Sequence, residues 1–137
     1  MTPEVERVKA FCERSITYHR IIVKLRKQEA GALKDAEEVG EQPDKIYEHI
    51  HENKIKYTDL WATAKNQVYD LVTNSKLAGE AARVIDLRYR RGMTWEKIKN
   101  AVGYDSKQSV YNQQNKAFEQ MAPTLDRLFP DWQIGDK

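Results

Sequence analysis

Cysteine, glycine, proline and long apolar runs are all scarce in this chain, and each scarcity excludes something. Cys12 is the one cysteine among 137 residues, so no disulfide can form within the chain. Its place among apolar residues suits a buried thiol in a reducing compartment. Six glycines and four prolines, beside 32% charged residues, point to a helix-rich, soluble protein and argue against disorder along the whole chain. No window approaches the roughly 18 consecutive apolar residues needed to span a bilayer, and the start "MTPEVERVKAF" lacks the basic-then-apolar layout of a signal peptide. The expectation is a cytoplasmic protein with no membrane partner. There is no glycine-rich phosphate loop, no Cys/His cluster and no nucleophile with an evident base. His49 and His51 lie two apart, on different faces of a helix, and cannot form the i, i+4 pair of a helical metal site. No catalytic residue, metal or cofactor is expected, and no enzymatic activity.

What is present is helical periodicity. Thr2 and Pro3 make a helix start, and Val8, Phe11, Ser15, Tyr18, Ile22 and Leu25 follow at spacings of three and four. The stripe weakens to alanines beyond Gly31, which leaves the helix end open. "VGEQPDKI" reads as a turn in which Asp44 caps a second helix, striped by Tyr57, Trp61, Ala64, Val68 and Leu71. Two long helices and a short turn predict an antiparallel hairpin over residues 1–78. Three shorter helices are predicted over Glu80–Arg91, Thr94–Val102 and Ser106–Met121, stopped by Gly92 and Gly103 and capped by Thr94 and Ser106. Residues 79–121 form the second expected unit. After Pro123 a last turn leads into a partly packed tail, 122–137. The fold class expected is all-α.

Charge is unevenly spread. Met1 to Leu60 holds 11 Lys/Arg against 12 Asp/Glu, net −1, whereas Gly79 to Met121 holds 8 against 5, net +3. Helix, turn, helix, turn, helix with a basic excess is the layout of a helix-turn-helix DNA-binding unit. Wound at about 100° per residue, the last of these helices puts Val110, Ala117 and Met121 on one side. The other side collects Gln108, Asn112, Asn115 and Lys116, flanked by Ser109 and Tyr111. Amides can pair bidentately with adenine in the major groove, and a face poor in acid does not repel phosphate. The base-reading candidates are therefore Lys107, Gln108, Ser109, Tyr111, Asn112 and Asn115. Arg90, Arg91, Thr94, Lys97 and Lys116 are the candidate phosphate contacts, which fix register without carrying sequence information.

The segment "ARVIDLRYRRGMTWEKIKNAVGYDSKQSVYNQQNKAFEQM" resembles the promoter-reading C-terminal helix-turn-helix domain of bacterial sigma factors. It is more closely similar to the phage transcriptional regulators of the ArpU and RinA type. The resemblance is carried by Val84, Leu87, Arg88, Tyr89, Gly92, Thr94, Trp95, Ile98, Gly103, Ser106, Val110, Lys116, Ala117 and Phe118, within a stretch under a third of the chain. Two positions depart from the family. Lys99 stands where a small alanine is usual, so its stem must snorkel or the helices must open slightly. Gln113 replaces an apolar residue on the inner side of the recognition helix, where an amide needs a hydrogen-bond partner. The resemblance implies a sequence-specific transcriptional regulator bound to double-stranded promoter or operator DNA. Host RNA polymerase is a further implied partner, and the N-terminal hairpin would serve as a polymerase-contacting or homodimerising arm. Two other readings stay open. One is a small terminase subunit of phage DNA packaging, although those proteins commonly place the DNA-binding unit first. The other is a helical protein-interaction module, which would show no salt-sensitive DNA binding.

Overall fold

The computed structural model describes residues 2–40 and 45–137, and every regular element among them is helical. α1 spans Pro3–Val39, α2 Lys45–Asn74, α3 Gly79–Ile85, α4 Trp95–Val102 and α5 Lys107–Leu128. A π-helical turn, Asp86–Arg90, continues α3 without a break. Asp44, the expected cap of the second helix, lies outside the described residues.

The local signals act where the sequence puts them. The hydroxyls of Thr2, Thr94 and Ser106 accept the backbone N–H groups of Val5, Lys97 and Ser109, each at 3.3 Å, which satisfies one orphan donor at the start of α1, α4 and α5. Gly92 and Gly103 sit in left-handed backbone, φ 68° and 76°, where a β-carbon would be strained, and there the chain leaves the π-turn and α4. Contacts between α1 and α2 run in opposite order along the two helices. Arg14 meets Gln67, Tyr18 meets Tyr57, and Glu29 meets Lys54, so the helices are antiparallel.

Burial is confined to one half of this pair. From Val5 to Ile22 the α1 stripe is buried, as are Ala64, Val68 and Leu71 of α2, while no residue of α1 past Ile22 or of α2 before Ala64 is fully buried. The buried half does not stand alone. Val8, Phe11 and Cys12, with Val68 and Leu71, share a core with Ile85, with Tyr89 of the π-turn, and with Ala117, Phe118, Met121 and Leu125 of α5. A second, smaller cluster joins Val84, Leu87, Ile98 and Val110. The α3 segment is thus sandwiched, with Ile85 and Tyr89 facing the long helices, and Val84 and Leu87 facing α4 and α5.

Two boundaries differ from the sequence expectation. The helix expected over Glu80–Arg91 changes to π geometry at Asp86, and the Arg91 N–H reaches back five residues to the Asp86 carbonyl at 3.1 Å. The wider turn accompanies the burial of both Leu87 and Tyr89, two residues apart and packed into different clusters. The helix expected to end at Met121 runs on through Pro123 to Leu128. Proline removes one donor and disturbs the carbonyl four residues back, here that of exposed Glu119, which water can solvate. Thr124 and Leu125 are buried beyond it, and that packing keeps the chain helical. The tail after α5 folds back on α1. Arg7 donates to the carbonyls of Phe129 (2.6 Å) and Trp132 (2.8 and 3.0 Å) and pairs with Asp126 at 2.6 Å, while Phe129 and Trp132 pack on the Phe11 ring.

Burial pushes the Cys12 thiol up to about 12, with the Arg14 guanidinium opposing. The unfolded thiol ionises near 9.0, so between those values the unfolded state holds fewer protons than the native one, and this group's contribution to stability falls as pH rises. A disulfide-exchange reagent at pH 8 is expected to modify Cys12 only as fast as the chain opens, and quickly in urea. Native-state modification at the urea rate would contradict the burial.

Candidate nucleic-acid interface

The site is α5 on a platform of α4. Trp95, in the first turn of α4, meets the ring of Tyr111 edge-on at 5.0 Å. The Arg88 guanidinium lies 4.6 Å from the Trp95 ring and donates to the Met93 carbonyl at 2.9 Å, which holds the loop ahead of α4. Glu96 bridges the two helices, 2.8 Å from Lys99 and 3.5 Å from Lys107. The hydrogen bond from Lys99, then the charge of both lysines, holds its carboxyl below the ordinary range. Lys99 is half-buried with its ammonium on Glu96, so the stem packs while the charge reaches the surface. Tyr104 ties this platform to α3 through a hydrogen bond to Glu80, which raises its phenol.

The expected base-reading residues divide. Lys107, Gln108 and Asn112 are exposed on the first two turns of α5, and Gln108 Nε2 donates to Asn112 Oδ1 at 3.0 Å. That bond leaves the Gln108 carbonyl oxygen and the Asn112 amide N–H groups for an outside partner, an acceptor beside a donor. The other three are not grouped with them. Tyr111 is half-buried against Trp95, so its ring braces α4. Ser109 is half-buried in the first turn, its hydroxyl 3.1 Å from that of Ser106. Asn115, also half-buried, lines a groove with Thr2, Val5 and Glu119, beside the start of α1.

The cations divide in the same way. Arg90 and Arg91 share the Asp86 carboxylate at 2.7 and 3.2 Å, and Arg90 also lies over the Tyr69 ring of α2 at 4.9 Å. Two guanidiniums on one carboxylate retain a single surplus positive charge. Lys97 and Lys116 are exposed and make no ion pair among the described residues. Thr94 is exposed, with its hydroxyl engaged as the α4 cap.

Gln114 was not singled out by the sequence, which directed attention to Gln113. Gln113 is half-buried, near the Tyr104 hydroxyl, whereas Gln114 is buried and its Oε1 accepts from the Tyr89 hydroxyl at 2.5 Å. The signal was present: at about 100° per residue Gln114 falls between Val110, Ala117 and Phe118 in the apolar stripe.

The chain matches no protein-family model, no curated protein and no solved structure in the comparisons made. Among the described residues there is no group of three or more His, Cys, Asp or Glu that could hold a metal, and no helix long and apolar enough to cross a membrane.

Proposed function

We propose that the chain is a sequence-specific, double-stranded DNA-binding transcriptional regulator of the phage type. α3, α4 and α5 serve as its helix-turn-helix unit, and α1–α2 as an arm. The observation that carries this reading is the surface from Lys107 to Lys116, which contains no acidic residue and exposes two lysines and a hydrogen-bonded pair of amides. A solvated helix ordinarily interleaves Glu with Lys. A helix that enters the major groove needs amides for base edges and freedom from negative charge.

In this reading Gln108 and Asn112 meet base edges, and Lys97, Lys116 and the Arg90–Arg91 pair meet phosphates. Adenine offers N7 as acceptor and the N6 amino group as donor. The Asn112 amide N–H and the Gln108 carbonyl oxygen complement the two. The outer half of the arm, where no residue is fully buried, is the surface for a second copy or for RNA polymerase.

Selection from random duplexes followed by sequencing tests the reading, and an enriched motif is the expected result. Affinity is expected to fall steeply with salt, with a logarithmic slope of about −0.9 per phosphate contact. Lys97→Ala is expected to weaken selected and random duplexes alike and to reduce the slope by about one. The lack of an enriched motif would overturn the proposal, and the absence of salt-sensitive binding would remove DNA as a partner altogether.

A further inference from the structure

Three polar residues that are among the most buried of the described residues form one chain across three elements. Ser15 of α1 is 1% exposed, Tyr89 of the π-turn 2% and Gln114 of α5 5%. The Ser15 hydroxyl donates to the Tyr89 carbonyl at 2.6 Å and lies 3.0 Å from its own helix's Cys12 carbonyl. The Tyr89 hydroxyl donates to Gln114 at 2.5 Å, and its ring packs on Phe118 at 6.0 Å.

Apolar side chains would fill the same space without fixing direction. A phenol bonded to an amide inside a core does fix it, because breaking the bond strands a desolvated polar group. The direction fixed here is the rotation of α5 about its axis. Side chains reach roughly 5–6 Å from a helix axis, so a turn of about 15° moves an outer amide by about 1.5 Å. Donor–acceptor distances in good hydrogen bonds span only about 0.5 Å. Gln114 sits two residues from Asn112, on the opposite side of the helix.

We infer that Tyr89 and Gln114 are positioning residues for base readout. Their hydrogen bond, held from α1 through Ser15, sets the rotation at which Gln108 and Asn112 are presented. α1 is then part of the reading head as well as of the arm. The inference rests on the DNA-binding reading above and deepens it.

The test uses the full chain and three variants, Tyr89→Phe, Gln114→Met and the double. Each is checked by melting and assayed at a temperature where it is fully folded. The readout is the ratio of dissociation constants for a random and a selected duplex. Tyr89→Phe removes one oxygen and keeps the ring, and it is expected to lower that ratio about tenfold, the scale of a lost base contact. Random-duplex affinity and the salt slope should stay at wild-type values, which a merely structural role does not explain. The double variant is expected to match the single ones, since all three remove one bond, and Ser15→Ala should move the ratio the same way by less. A ratio within about twofold of wild type in Tyr89→Phe, or equal losses on both duplexes, overturns the inference and leaves the DNA-binding reading standing. A wild-type chain that selects no duplex overturns both.

Discussion

Phe118→Ala is expected to destabilise the whole chain by about 3–5 kcal/mol, in a single transition. Phe118 is fully buried, and the core around it draws on α1, α2, α3, the π-turn and α5. A cavity there is shared by the long helices and by the helices proposed to bind DNA. The three tryptophans report from separate places, Trp61 in α2, Trp95 in α4 and Trp132 in the tail. Urea unfolding followed by their fluorescence and by far-ultraviolet circular dichroism should give coincident curves, with the melting temperature lowered by roughly 10 °C or more. Two separated transitions would mean that the clusters around Phe118 and around Ile98 fold independently.

The second large effect concerns recognition. Asn112→Ala or Gln108→Ala is expected to cost about 1–3 kcal/mol on a selected duplex, concentrated at one base pair, with little change on random DNA. The amides bond to each other at 3.0 Å, so each orients its neighbour. Removing both should cost less than the sum of the single losses, a coupling that a double-mutant cycle reads directly. Binding to the selected duplex and to single-base-pair variants of it is the measurement. Equal losses on selected and random duplexes would make the pair sequence-independent backbone contacts, and no loss on either would place it among ordinary surface residues.

The helices were largely legible in the sequence because their signals are local. Thr94, Ser106 and Gly103 act within one turn of themselves, and the stripe from Val8 to Ile22 needs only the helical period to be seen. The misplaced boundaries are those decided at a distance. Pro123 reads as a stop to any local rule, yet Leu125 is buried against helices more than 50 residues away in sequence. The π-turn at Asp86 has no local marker, and it coincides with the sandwiching of α3 between two clusters.

The candidate site shows the same division. A helical wheel puts Gln108, Asn112, Asn115 and Glu119 on one stripe, and nothing in their spacing separates them. The docking of α1 does: it places Thr2 and Val5 beside Asn115 and Glu119 and leaves Gln108 and Asn112 exposed. Spacing likewise puts Tyr111 on the outer flank of α5, and it is the Trp95 ring that half-buries it there. By itself, then, the sequence determined the all-helical class, the caps and an acid-free stretch on α5, because periodicity, capping and charge are properties of neighbouring residues. Only the tertiary structure decided which part of that stretch is open, that Arg7 ties the tail to α1, and that Gln114 is bonded to Tyr89. Each of these depends on which distant side chain shares a desolvated space, and no spacing along one helix encodes that.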